Sequence, residues 1–399
     1  MKILLIHNLY LQPGGEDEVV KTEKKMLEQF GHKVILYERY NKEIEAYNVF
    51  QKIKFTLTDI YWSKVSYKAI RKIIQKEKPD IAHIHNTFSV ISPSVYQACH
   101  DENIPIVQTL HNYRFLCPIA IFYRSGKVCT DCLSTGRKAA VINRCWKNSY
   151  FMSFVLKRII DKFYAKEIVT KTIDHFIVLS EFSKKMHVQN GFAQDKLTVK
   201  PNFLDFDPGI SSVNGDYALF VGGLQDYKGI KVLLEAWGKL KGLLKLKIIG
   251  DGPLRQDVIA ASKETNIEFL GQRPLSEVME HMKKSFFVVL PSQCFENFPR
   301  VIVEAYACGK PVVVSDIGSL GELVQKKVTG LRFDPKSSDD LAQKVQWMIA
   351  NPSLAQEMGQ NARKVYEEKY IMQENYSALL KIYEKTIVSS RKVQIPSQK

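Results

Sequence analysis

No stretch of this 399-residue chain approaches the length of apolar sequence needed to span a bilayer. The opening run Lys2-Ile3-Leu4-Leu5-Ile6 breaks at His7-Asn8, which makes it a first strand rather than a signal peptide. A membrane span and export are thereby set aside, and the expected location is the cytoplasm. The chain also has no His-Glu-x-x-His signature that would demand a catalytic metal, no solenoid-type repeat and no recognised RNA- or DNA-binding motif.

What is present is length enough for two domains and an excess of positive charge. The net charge of +15 is unevenly spread: residues 1–202 hold 31 Lys and Arg against 19 Asp and Glu, whereas residues 203–399 hold 26 against 23. A basic first half points to an anionic partner, either nucleic acid, an anionic membrane or a phosphorylated substrate; a plain Lys-rich solvated surface is the alternative.

Short apolar runs alternate with amphipathic ones. Residues 3–6, 34–37, 81–84, 106–110 and 176–179 read as strands, with helical patterns over 18–30 and 68–78 between them. The pattern restarts with strands at 217–221, 245–249, 267–270, 286–290 and 312–315. Two successive doubly wound, parallel-sheet α/β units follow, with a hinge in the Pro- and Gly-bearing stretch near 201–213.

The most informative segment is Phe295-Glu296-Asn297-Phe298-Pro299-Arg300-Val301-Ile302-Val303-Glu304. Asn297 can cap a helix and Pro299 fits its first turn. One carboxylate then lies in a strand-to-helix loop and another two turns along the helix, at the sheet edge where α/β folds bind ligands. Two carboxylates can accept hydrogen bonds from two sets of hydroxyls, as on a sugar and a ribose. The segment and its continuation Ala305-Tyr306-Ala307-Cys308-Gly309-Lys310-Pro311 resemble the Glu-x7-Glu signature of retaining glycosyltransferases of family 4, the group 1 glycosyl transferases. The resemblance implies a GT-B fold, two Rossmann-like domains facing across a cleft. It divides the chain into an acceptor-binding domain over 1–202, a nucleotide-sugar-binding domain over 203–369, a helix over 370–387 crossing back to the first domain, and a flexible tail over 388–399. It also implies that Glu304 holds the nucleotide ribose and that Glu296 contacts the donor sugar, with Asn297, Phe298 and Arg300 beside them.

Other loops join this set. Gly222-Gly223-Leu224-Gln225-Asp226-Tyr227-Lys228-Gly229 follows a strand, and glycines there let backbone N–H groups approach a phosphate. It resembles the family loop in which an Arg and a Lys neutralise the donor diphosphate; Lys228 matches the Lys, but Gly223 stands where the Arg is expected, so either Lys228 and the backbone amides carry the diphosphate charge alone or Arg300 or Arg273 substitutes. Gly250-Asp251-Gly252-Pro253 resembles the family's Gly-x-Gly-Pro turn, and Gln272 follows the strand whose backbone would meet the nucleobase, whether uracil, guanine or adenine. In the first half, Gln12-Pro13-Gly14-Gly15-Glu16 resembles the loop that faces the donor phosphates, and His111 matches the His directed at the donor sugar. His83, His85 and Asn86 end the preceding strand and are assigned to the acceptor side.

Cys117, Cys129, Cys132 and Cys145 form a Cys-x11-Cys-x2-Cys-x12-Cys set. In a reducing compartment four clustered thiols suit a closed structural zinc site, with core packing of Cys117 the alternative. Two aromatic, Lys-rich amphipathic segments, 150–168 and 50–74, either pack in the core or rest on an anionic membrane.

The resulting expectation is a glycosyltransferase moving a sugar, with retention, from a nucleotide diphosphate sugar to a glycan hydroxyl, the acceptor being lipid-diphosphate-linked at the inner membrane face in cell-surface polysaccharide synthesis. It expects no cofactor for catalysis. A different GT-B enzyme such as a nucleotide-sugar epimerase, or a basic nucleic-acid-binding protein, are the alternatives.

Overall fold

The computed structural model describes residues 1–11, 14–161, 171–211 and 215–394. The chain forms two compact units. Unit 1 comprises Met1–Ala120, Thr130–Pro201 and Asn375–Lys399, and unit 2 comprises Ile121–Cys129 and Asn202–Glu374. In chain order the strands are β1 (Lys2–Leu9), β2 (Lys33–Tyr40), β3 (Ile81–Asn86), β4 (Ile106–Thr109), β5 (Tyr123–Arg124), β6 (Lys127–Val128), β7 (His175–Val178) and β8 (Leu197–Val199). They continue with β9 (Tyr217–Val221), β10 (Lys245–Ile249), β11 (Ile267–Gly271), β12 (Phe287–Leu290), β13 (Val312–Ser315) and β14 (Gly330–Phe333).

Unit 1 holds a six-stranded parallel sheet in the order β2-β1-β3-β4-β7-β8, and unit 2 one in the order β11-β10-β9-β12-β13-β14. Both are doubly wound, and each has a switch point where the direction of strand progression reverses: between β1 and β3 in unit 1, between β9 and β12 in unit 2. A crevice at the carboxyl ends of the strands opens at such a point, which makes it the natural ligand site. The central strands are buried on both faces, as parallel sheets covered by helices require. Each unit has its own apolar core. That of unit 1 includes Leu4, Ile84, Ile106 and Phe176; that of unit 2 includes Leu233, Trp237, Ile248 and Val289.

Sequence pattern and structure differ at several elements. The short β8 and β14 and the β5–β6 hairpin lack the bulky runs that mark the other strands. The last helix spans Met372–Gln394, so the expected tail is corrected over 388–394; residues 395–399 lie outside the described residues. Its residues from Asn375 belong to unit 1. The helix from Tyr150 shows Val155, Leu156, Ile159 and Ile160 buried, but Tyr150, Phe151 and Phe154 exposed. Its aromatics are therefore split between two faces, and Lys162 and Lys166 lie outside the described residues. No helix among the described residues is long and apolar enough to cross a membrane.

Candidate active site

In unit 2 the loops after β9, β10, β11 and β12 converge. Gly222 N donates to Ile249 O at 3.0 Å, Leu224 N to Asp251 O at 2.9 Å, Gly250 N to Gly271 O at 2.9 Å and Gln293 N to Tyr227 O at 2.8 Å. The contacts need glycine at two places. A Cβ on Gly229 (φ +73°) would lie 1.8 Å from Pro291 O, and one on Gly250 (φ +145°) 1.9 Å from Gly222 O. Gly222, Gly223, Lys228, Gly250, Gly252, Glu296 and Arg300 thus gather at one sheet edge, with Gln272 exposed just beyond β11.

Lys228 Nζ donates to Glu296 Oε1 at 2.6 Å, and Ser292 Oγ donates to the same oxygen at 2.7 Å. Burial alone would raise the Glu296 carboxyl, but the Lys228 charge and these two bonds hold it below its usual range. Burial likewise pulls the Lys228 ammonium down, and Glu296 more than reverses it, so both groups stay charged. Glu304 lies on the buried face of the Arg300–Ala307 helix, with Arg300 Nε 3.9 Å from its Oε1. Burial raises the Glu304 carboxyl and Arg300 only partly opposes it. The helix begins directly after Pro299, whose extended backbone makes it the N-cap, and no side chain caps it; the capping role expected of Asn297 is corrected. Phe298 is buried, stacked edge-on near Tyr370 at 6.0 Å between centroids. Of the two proposed stand-ins for the missing Arg, Arg273 is exposed and turned to Glu277 at 3.6 Å, whereas Arg300 sits beside Glu304. An Asp-x-Asp triplet, Asp205-Phe206-Asp207, does occur; Asp207 is committed to the guanidinium of Arg363.

In unit 1 the switch point carries His7 and Asn8 from β1, His85 and Asn86 from β3, and His111 just after β4. Gly14 caps the Gly15–Gln29 helix, and Asp17 Oδ2 accepts its N–H at 2.8 Å; Gln12 and Pro13 lie outside the described residues. Glu16, in the first turn, approaches Tyr10 at 3.3 Å and Asn112 at 3.4 Å, and burial raises its carboxyl to about 7. His111 is half-buried and can meet a ligand. His83 cannot: it is fully buried, with Thr109 Oγ1 2.7 Å from one ring nitrogen and Tyr383 OH 2.7 Å from the other, so its expected acceptor contact is corrected. Asn86 is spent on structure, donating to Asn8 O at 2.7 Å and accepting from Phe88 N at 3.0 Å. His85 is buried, and its Nδ1 lies 2.9 Å from His111 Nε2.

Cys117 is buried and Cys129, Cys132 and Cys145 are half-buried; Cys129 falls in the segment belonging to unit 2, the other three in unit 1. Among the described residues the group of three metal-ligating side chains with atoms within 4.8 Å of one another is Glu23, His83 and His85. Glu23 was not apparent as a site residue, although a signal existed: it shares the apolar helix face of Val19, Val20, Met26 and Leu27, where a charge is out of place.

Two family signatures together match most of the chain: residues 13–208 match Glycosyltransferase Family 4, and residues 206–365 match Glycosyl transferases group 1. An uncharacterized glycosyltransferase of Methanocaldococcus jannaschii is 25% identical over 397 residues, covering 96% of this chain and 98% of that protein. The D-rhamnosyltransferase WbpZ of Pseudomonas aeruginosa is 31% identical over 160 residues, 39% of this chain and 41% of its own. Among solved structures, HepE of Anabaena in complex with UDP superposes with a TM-score of 0.68 at 18% identity, over 96% of this chain and 100% of that one. The fold is GT-B, and the chain belongs to the group 1, family 4 glycosyltransferases.

Proposed function

We propose that the enzyme moves a sugar, with retention of anomeric configuration, from a nucleotide diphosphate sugar to a glycan hydroxyl. The observation that carries this reading is the loop cluster of unit 2. A fixed Lys228–Glu296 pair and a buried Glu304 stand at the switch-point edge of a parallel sheet, beside glycine turns whose close backbone contacts leave no space for a side chain. Glu304 accepts hydrogen bonds from the ribose diol and Glu296 from the donor sugar. Lys228, the loop amides and Arg300 in place of the missing Arg meet the diphosphate charge, a preorganised electrostatic contribution that needs no cofactor. His111 is assigned to the donor sugar, as the family resemblance implies. No protein nucleophile is involved: the acceptor attacks from the face that the diphosphate leaves. UDP-bound HepE supports a nucleotide donor, and the D-rhamnosyltransferase WbpZ supports transfer of a sugar.

The acceptor engages unit 1. A cavity of about 400 Å³ there is lined by Tyr47 and Trp62 alongside Arg39, Lys54 and Lys64, suiting a sugar that carries phosphate. The Val49–Lys54 helix next to it exposes Phe50, at 84%, and Ile53 beside Lys52 and Lys54. With the basic first half, this favours an acceptor presented on an anionic membrane.

A thermal-shift screen of nucleotide sugars tests the donor assignment, because a ligand that binds only the folded state raises the melting temperature. Stabilisation by one nucleoside diphosphate and its sugar is the expected result; no response to any of them contradicts the reading.

A further inference from the structure

A buried charged chain in unit 1 ends at His111. Glu23 is 1% exposed, and its Oε2 accepts from Lys200 Nζ at 3.0 Å; Lys200, itself 2% exposed, also donates to Asn375 Oδ1 at 2.8 Å. Glu23 Oε1 lies 2.9 Å from His83 Nδ1 and 3.4 Å from His85 Nε2. His85 Nδ1 is 2.9 Å from His111 Nε2, and the two rings lie edge to edge, their planes 20° apart and their centroids 5.1 Å apart.

This arrangement fixes where the protons sit. Burial would raise the Glu23 carboxyl, but Lys200 and His83 hold it well below its usual range, so it is an anion. A bare imidazole nitrogen held 3.4 Å from that anion is repelled by it, so His85 carries its proton on Nε2. Its Nδ1 is then an acceptor, and the proton shared with His111 belongs to His111 Nε2. Neither ring takes a second proton near neutrality, since burial lowers His85 to about 3 and His111 well below the ordinary range. His111 Nδ1 is left bare.

We propose that Glu23 is a positioning residue, which through His85 locks His111 in the Nε2–H tautomer and so presents His111 Nδ1 as a hydrogen-bond acceptor for a hydroxyl of the donor sugar. The proposal rests on the assignment of His111 to the donor sugar made above. Glu23, His83 and His85 also have the spacing of a metal triad. Lys200 argues against that use, because its ammonium on the same carboxylate repels a cation.

The test is the imidazole tautomer, read from two-bond proton–nitrogen spectra of protein with ¹⁵N-labelled histidine, the His111 signal being assigned by its loss in His111→Gln. Wild type should show His111 protonated at Nε2. In Glu23→Gln the amide NH₂ donates to His85 Nε2 and reverses both rings, moving the His111 proton to Nδ1 while His175, remote in β7 and bonded to Thr198, stays unchanged. Glu23→Gln leaves Lys200 without its counter-ion, so the Glu23→Gln, Lys200→Met pair serves if the single variant does not fold. His111 protonated at Nδ1 in wild type, or unmoved in a folded variant, overturns the proposal. With the donor nucleotide sugar, kcat should fall at least about tenfold and KM change little; a change in KM alone would assign Glu23 a structural role instead. The spectra need no substrate. A wild type that turns over no nucleotide sugar would therefore defeat the transferase reading without touching the tautomer result.

Discussion

Glu304 is buried and Glu16 half-buried, and desolvation raises both carboxyls, yet their substitution should have opposite consequences. Glu304→Gln keeps the shape but loses charge-assisted hydrogen bonds to a diol, each worth about 1.5–3 kcal/mol, so nucleotide affinity should fall at least about tenfold in a folded protein. Titration calorimetry checks this, and unchanged affinity would remove the ribose assignment. Glu16 concerns stability. Its native pKa of about 7 lies above the ordinary value, so the folded state holds the proton longer than the unfolded chain does. The stabilisation is complete below about pH 4.3 and is lost as pH rises to about 7, a difference on the order of 1–3 kcal/mol given the partial exposure of the side chain. Glu16→Gln should therefore melt higher than wild type above pH 7, with the two curves meeting near pH 4.

At the scale of elements, the turn after β9 is the most constrained. Gly229→Ala combines a left-handed backbone with a Cβ 1.8 Å from Pro291 O, and should cost at least about 2 kcal/mol. The loops carrying Lys228 and Glu296 would be pushed apart, so nucleotide affinity and melting temperature should fall together. Most strands were legible because buried parallel strands are short apolar runs, and the Glu296–Glu304 spacing announced its loop. What was not legible is non-local. Nothing near His83 in sequence says that Thr109 and Tyr383 enclose it, and nothing near Lys200 says that Glu23 neutralises it and Asn375 accepts from it. Local capping rules also named Asn297 because they could not see that Pro299 is extended. The helix from Tyr150 defeated a one-face reading because apolar residues occupy more than one side of it.

For the molecule as a whole, the proposed contact with an anionic membrane rests on the basic first half and the exposed face of the Val49–Lys54 helix. Each basic residue near such a bilayer contributes about 1 kcal/mol, so the protein should co-sediment with anionic vesicles but not neutral ones, and about 0.5 M salt should release it. Phe50→Ser and Ile53→Ser together should weaken this binding without altering nucleotide affinity. The helix from Tyr150 offers a poorer handle, since Lys157 is already paired with Asp161 at 2.5 Å. Failure of the wild type to bind anionic vesicles at low salt would leave a soluble acceptor as the better reading.

The partition of the chain also bears on how it is made. Unit 1 takes its last pieces from residues beyond Asn375, whereas unit 2 needs nothing after Glu374. During synthesis from the amino end, the half that starts first is therefore finished last. Until Asn375 and Tyr383 emerge from the ribosome, Lys200 and His83 lack partners that the completed protein gives them. A chain cut short before that helix leaves the Lys200 ammonium without Asn375 and the His83 imidazole without Tyr383, so the charged interior of unit 1 is satisfied only once the last helix has been made.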